Sequence, residues 1–279
     1  MSQKKIAAIH DISGFGKCSL TVALPICSAA GIETAVLPTA VLSTHTGGFT
    51  GYTFRDLTRD ITPIAEHWKK EGLTFDAFYT GYLGSKEQID LVINAINLLK
   101  TENTLVVCDP AMADNGVLYK GFPNDFATAM LKLCANADII VPNITEAVLM
   151  LGREYKEGPY TKEYIEELLA ALNKATGADV VLTGVWFNEK ELGAAVLNGG
   201  NIKYIFSSRI PAAYHGTGDV FASVLVSALM NGNNLESATE TAVHFTCGCI
   251  SRTLKERGEK WYGVNFEQEL PKLINLLNE

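Results

Sequence analysis

The residues best suited to chemistry lie in one stretch, His215-Gly216-Thr217-Gly218-Asp219-Val220-Phe221-Ala222-Ser223-Val224-Leu225, a glycine-rich turn running into an apolar segment of helical period. Glycines on either side of Thr217 let successive backbone N–H groups point into one concavity. The helix that follows aims its unpaired N–H groups and the positive end of its dipole at the same point. Phosphate sits well in such a place. Asp219 falls in the first turn, where the dipole favours the ionised carboxylate, so it is expected to be able to accept a proton at neutral pH. A phosphate cradle beside a base is the equipment of phosphoryl transfer. Taken alone, the same residues also make a plain turn and helix cap, so the rest of the chain has to decide.

The chain has 279 residues, 47 % hydrophobic and 19 % charged, with a net charge of −8. That length suits one large α/β domain, and with no linker, repeat or low-complexity stretch residues 1–279 read as a single domain. A net negative charge argues against sequence-independent nucleic-acid binding and in favour of a small-molecule partner. No apolar run approaches the roughly 18 to 20 residues of a membrane span, and the apolar stretch after Met1-Ser2-Gln3-Lys4-Lys5 is too short for a signal segment. A cytoplasmic location is expected, with no membrane partner. The cysteines, Cys18, Cys27, Cys108, Cys134, Cys247 and Cys249, lack C-x-x-C spacing and are expected to be buried reduced thiols.

Strands and helices alternate along the chain. Apolar runs predict strands at 4–10, 33–38, 76–79, 104–108, 138–141 and 179–182, and Asn198-Gly199-Gly200-Asn201 joins two further strand-like runs as a hairpin. Helical periods cover 18–30, 85–100, 126–134, 145–151, 161–176, 219–230, 236–255 and 266–277. Gly31 is placed as the first helix's stop, and Ser85 with Gln88 forms a capping box. This order predicts a mostly parallel central sheet with helices on both faces. Ligands of such sheets lie beyond the carboxyl ends of the strands. Asp11, His45 with Thr46, Tyr82, Asp109, Asn143 with Glu146, and Thr183-Gly184 each follow a predicted strand, which collects them at one rim.

Several patterns have plainer readings. Ser13-Gly14-Phe15-Gly16-Lys17-Cys18-Ser19 lacks the first glycine of a phosphate-binding P-loop and the Ser or Thr after its lysine, and it lacks the third glycine of a dinucleotide fingerprint. It remains a candidate loop over a ligand. Asp109, Asp114 and Glu146 are spaced for a transient Mg²⁺ bridged by phosphates, not for a closed cage. Glu163, Glu166 and Glu167 read as a solvated helix face.

Five motifs, Ser43-Thr44-His45-Thr46-Gly47, Thr80-Gly81-Tyr82-Leu83-Gly84-Ser85, Cys108-Asp109-Pro110-Ala111-Met112, Val141-Pro142-Asn143-Ile144-Thr145-Glu146 and Gly216-Thr217-Gly218-Asp219, occur in that order. Through them the chain resembles the pyridoxal/pyridoxamine kinases of the ribokinase-like superfamily, over residues 6–252. The resemblance implies ATP-dependent phosphorylation of the 5′-hydroxyl of a vitamin B6 vitamer by a homodimer that uses Mg²⁺ and often a monovalent cation such as K⁺. It implies that Asp219 is the base and that the Gly216, Thr217 and Gly218 amides receive the phosphoryl charge. Asp109, Asn143 and Glu146 match the phosphate, metal and water network, with Asp109 and Glu146 at Mg²⁺ through phosphates or water. Thr183 and Gly184 lie beside the nucleotide, Asp114 and Tyr119 in its lid, and His45, Thr46 and Tyr82 in the vitamer pocket.

Two positions depart from the pattern. Many pyridoxal kinases carry Ser where this chain has Asp11. A carboxylate there would either contact the substrate ring or cap its own loop. The related hydroxymethylpyrimidine kinases of thiamine synthesis also show aspartate at this point. They usually carry Cys at the Asp219 position, however, and lack the form of the motif around Tyr82, so they are the alternative. Val141 stands where some relatives have Thr near the monovalent cation. A non-catalytic vitamer-binding protein would not need Asp219 or the glycine turn, and both are intact.

Overall fold

A computed structural model describes residues 3–256 and 261–278; Met1 and Ser2, which begin the stretch weighed as a signal, lie outside them. The strands are β1 (Lys5–Ser13), β2 (Glu33–Leu42), β3 (Phe54–Asp56), β4 (Ala77–Thr80), β5 (Leu105–Cys108), β6 (Ala113–Asp114), β7 (Val117–Leu118), β8 (Ile139–Ile140), β9 (Asp179–Val185), β10 (Glu191–Asn198) and β11 (Asn201–Ser208). The helices are α1 (Leu20–Ala29), α2 (Thr58–Lys70), α3 (Lys86–Leu99), α4 (Phe126–Cys134), α5 (Ile144–Met150), α6 (Lys162–Thr176), α7 (Thr217–Met230), α8 (Leu235–Lys255) and α9 (Leu270–Asn278).

One sheet runs in the order β11-β10-β9-β8-β5-β4-β1-β2-β3. The six strands from β9 to β2 pair in parallel, while β10, β11 and β3 add antiparallel margins. Alternate residues of each strand feed opposite faces, as the pleat requires. Ala7, Ile9, Phe78, Val106, Val180 and Leu182 pack beneath α2 to α6. Ile6, Ala77, Tyr79, Val107 and Val181 pack beneath α1, α7, α8 and α9. A sheet covered on both sides needs apolar residues at every position, which is why its strands read as continuous apolar runs. The fold is ribokinase-like, with a mostly parallel central sheet between helical layers.

Several elements differ from expectation for local reasons. β1 continues to Ser13, with an irregularity between His10 and Ile12 that places Asp11 inside the strand. α1 starts two residues later than its period suggests, because Lys17 and Ser19 take positive φ values of 53° and 54° that no helix accommodates. α7 starts two residues earlier than predicted, with Gly216 as its N-cap. α9 starts at Leu270, so Pro271 falls in its first turn, where a missing N–H costs nothing. At α3, Ser85 Oγ accepts from Gln88 N as expected, but the Gln88 side chain reaches Gly84 N, Thr39 O and Thr58 Oγ1 and does not close the box.

The strand β3, the helix α2 and the β6–β7 hairpin have no counterpart in the sequence reading. α2 carries Pro63 and buries only Ile61 and Ala65, so its identity rests on packing against its neighbours.

Candidate active site

α7 begins where the chain reverses sharply at Gly216, whose φ of 76° is left-handed. A Cβ at Gly216 would come within 2.0 Å of the Lys17 carbonyl oxygen, so the turn packs directly on the loop after β1. Gly218, by contrast, has nothing within 4 Å of a would-be Cβ and no left-handed φ. Its role is to leave open space in front of the helix N-terminus.

That space belongs to a cleft of about 420 Å³ that brings together Asp109, Asp114, Tyr119, Asn143, Glu146, Thr183, Gly184, Gly216, Thr217, Gly218 and Asp219. Asp219 is half-buried in its wall. Burial pushes its carboxyl up to about 7, against a backbone hydrogen bond from Ser19, and nearby Asp11 raises it further. The expectation of a fully ionised carboxylate at neutral pH is therefore corrected, because desolvation outweighs the helix dipole here. A carboxyl that titrates near neutrality is well matched to general-base work.

Asn143 caps α5 by accepting from Glu146 N at 2.9 Å, while Glu146 Oε2 accepts from Asn143 N at 2.9 Å, a complete capping box. Glu146 Oε1 also accepts from Met112 N, and Asn143 Nδ2 donates to Ala113 O. This pair thus ties the segment after β5 to α5. Burial pushes Glu146 up to about 8 in spite of its backbone donors. Asp109 is raised well above the usual range by burial and then by Glu146 and Asp219. Among the described residues no group of three or more His, Cys, Asp or Glu is arranged to cage a metal.

Asp114 ends β6 and Tyr119 follows β7, in a hairpin whose turn residues Asn115 and Gly116 have φ of 51° and 80°. Asn-Gly with both φ positive is the signature of a two-residue hairpin turn, and it was the legible signal for this missed element. Thr183 bridges to Asn143, and Gly184 bulges from β9 with φ 76°. Both therefore lie within the strand and not after it. Val141, Leu192, Val243, Cys247 and Ile250 complete the cleft with a largely apolar wall. His215 lines it too. Leu192, Val243 and Ile250 were not singled out from sequence, because an apolar face turned to a ligand reads like one turned to a core.

The remaining predicted residues lie outside the lining of the cleft, with Asp11 near enough to act by its charge on both Asp219 and Tyr82. Asp11 is buried, accepts from Ser13 Oγ at 2.7 Å, and is held by Ser19 as well, while burial raises its pKa. It braces the loop after β1. Tyr82 is half-buried, stacks on Phe122 at 5.5 Å, and is pushed up to about 12 by burial, then by Asp11 and Tyr52. His45 is buried, its Nδ1 accepting from Gly47 N and its Nε2 donating to Tyr262 O. Both ring nitrogens are thereby engaged, and burial lowers its pKa. Thr46 beside it is half-buried. The cysteines are free, as expected, but Cys18 and Cys247 are only half-buried and not fully buried as expected; Cys18 is close enough to Asp219 and Asp11 for their charge, after burial, to hold its thiol up.

Residues 27–263 match the phosphomethylpyrimidine kinase family. A Bacteroides thetaiotaomicron protein assigned as a phosphomethylpyrimidine kinase, crystallised with pyridoxal, is similar at 39 % identity and a TM-score of 0.92, covering 98 % of this chain and 96 % of that one. Pyridoxal kinase from Lactobacillus plantarum is similar at 33 % identity and a TM-score of 0.90, covering 99 % and 98 %. Pyridoxal kinase from Arabidopsis thaliana is 30 % identical over 190 residues, which are 63 % of this chain and 58 % of that protein. This chain therefore spans less than two thirds of the length of that plant relative. Together with the sheet order and the glycine turn at α7, these matches mean that the chain belongs to the phosphomethylpyrimidine kinase family, with pyridoxal kinases among its relatives.

Proposed function

We propose that this protein uses ATP to phosphorylate the 5′-hydroxyl of a vitamin B6 vitamer, pyridoxal, pyridoxamine or pyridoxine. The observation that carries the reading is the position of Asp219. Its carboxyl, pushed up to about 7, sits in the first turn of α7 on the lining of the cleft, near enough to Asp11 to feel its charge, and Tyr82 feels the same charge. The apolar wall of Leu192, Val243 and Ile250 suits a nucleotide base, which leaves the phosphates directed at the free N–H groups of Thr217, Gly218 and Asp219. Asp219 takes the proton of the acceptor hydroxyl as its oxygen attacks the γ-phosphorus. The bond to the bridging oxygen breaks, ADP departs, and the α7 amides hold the transferring charge. Asn143 and Glu146 keep the Met112–Ala113 backbone in place beside the phosphates.

Two buried carboxyls, Asp109 raised by burial and then by Glu146, and Glu146 raised by burial, fit a divalent cation shared with phosphate oxygens. They would hold Mg²⁺ through the phosphates or water, and the ion would neutralise phosphate charge. Val141 lines the cleft without a side-chain oxygen for a monovalent cation, so comparing rates in K⁺ and Na⁺ buffers tests that dependence.

The protein is read as one domain, since a single sheet is built from strands drawn from most of its length. It is further read as a cytoplasmic homodimer. No helix among the described residues is long and apolar enough to cross a membrane. Light scattering on the purified protein tests the dimer.

The decisive assay offers the three vitamers and hydroxymethylpyrimidine with ATP and Mg²⁺, reading products by mass. A vitamer phosphate is the expected product. Preference for hydroxymethylpyrimidine would replace this reading with the thiamine-side alternative, and binding without turnover would replace it with a non-catalytic one.

A further inference from the structure

We propose that the aromatic wall of Phe15, Phe49 and Trp261 is part of the acceptor site, so that the strap carrying Trp261 selects which flat heteroaromatic alcohol is phosphorylated. The proposal rests on the kinase reading above. Three segments distant in sequence meet here: the loop after β1, the loop after β2, and residues 261–267. Trp261 lies 4.6 Å from Phe49, Phe49 lies 4.9 Å from His45, and Phe15 lies 4.9 Å from Tyr262.

The wall adjoins the chemistry. His45 lies 5.2 Å from His215, the residue that precedes Gly216 and lines the nucleotide cleft. Gly16 packs on His45, since a Cβ there would come within 2.2 Å of its ring. The strap is fastened to both loops. Tyr262 O accepts from His45 Nε2, and Lys17 Nζ donates to Asn265 Oδ1 at 3.2 Å and Glu267 Oε2 at 2.7 Å. Two glycines allow the close approach, Gly48 against the Trp261 ring and Gly263 against Lys17, with would-be Cβ contacts of 2.6 Å each.

Despite this fastening, Trp261 is 44 % exposed and Phe15 is 51 % exposed. Large rings packed against one another yet left half in water beside a catalytic turn are the surface a planar ring covers, through offset or edge contacts. Polar acceptors without an aromatic ring gain nothing from such a wall, so it selects by shape and π-contact.

The test uses the full-length protein. Trp261→Ala is expected to raise the acceptor KM about tenfold, to leave the ATP KM within about twofold, and to alter the ranking of acceptors, with Trp261→Phe restoring most of the loss. A second measurement does not depend on that variant folding. In the Trp68→Phe, Trp186→Phe protein, where Trp261 is the remaining tryptophan, saturating acceptor without ATP should shield its fluorescence from acrylamide. An unchanged acceptor KM in folded Trp261→Ala, or undiminished quenching, overturns the wall. A wild-type protein that phosphorylates none of the vitamers overturns the B6 reading. If it phosphorylates hydroxymethylpyrimidine instead, the same two measurements made with that acceptor decide the wall separately.

Discussion

Asp219 combines two properties that pull against each other, a position built for chemistry and a burial that disfavours its charge. Its folded pKa of about 7 lies above the ordinary aspartate value, so its contribution to stability is full below about 4 and is lost as pH rises through 7. Asp219→Asn removes the base and the burial cost together. Turnover is expected to fall by roughly 10² to 10⁴ with nucleotide affinity little changed, while the melting temperature at pH 8 rises. A melting temperature that falls at pH 8 would show that the carboxylate is stabilised there. In the wild type, kcat/KM should climb with pH along a limb centred near 7. The two glycines of the turn should separate by the same reasoning. Gly216→Ala meets both a left-handed φ and the Lys17 carbonyl, so it should destabilise the fold. Gly218→Val should leave the melting temperature within a few degrees but weaken ATP binding, because its side chain would fill the space the phosphate needs. Equal thermal effects of the two substitutions would contradict this division.

At the level of elements, the short helix α5 does more than its 7 residues suggest. Its capping box orients Glu146 toward Met112 N, and Asn143 reaches Ala113 O, so the cap of one helix fixes the entry to the β6–β7 hairpin. Asn143→Ala should therefore cost about 1 to 2 kcal/mol of stability, the usual loss for an N-cap, and should also raise the ATP KM. Denaturant unfolding with initial-rate kinetics on one preparation checks both. A stability loss with unchanged ATP KM would reduce Asn143 to a cap alone. Asn143 and Glu146 are three residues apart, so the box is a local signal, although the helix was expected only from residue 145 and no cap was assigned to Asn143. The hairpin it anchors was equally local in its Asn-Gly turn, but its strands are only two residues each, too short for periodicity to register.

Across the whole molecule, pH acts on stability from both sides. His10 is fully buried beside Tyr79, with ring centroids 4.4 Å apart, and burial holds its pKa down to about 3. Its stabilising contribution is complete above the unfolded value of about 6.5 and is lost as pH falls toward 3, because only the unfolded chain binds the proton. Going from pH 7 to pH 5 should remove about 2 kcal/mol from this source. Asp219 and Glu146 act in the opposite direction, their contributions fading as pH rises through about 7 and 8. His10→Gln keeps a polar side chain of similar size without the titration, so the gap between melting temperatures at pH 7 and pH 5 should narrow. A gap of unchanged size would remove His10 as the cause of acid lability.

What the sequence determined by itself was set by near neighbours along the chain. The apolar runs of β5 and β9, the cap at Ser85 and the glycine turn before α7 each depend on residues within a few positions, so the order of the main elements and much of the polar rim followed. The tertiary structure decided what depends on distant partners. Asp11 became a brace because Ser13 and Ser19 close on it. His45 became a support for the strap because Tyr262, 217 residues away, takes its Nε2–H. The pKa of Asp219 depends on how completely several layers exclude water around it, and desolvation of that kind leaves no trace in a local pattern.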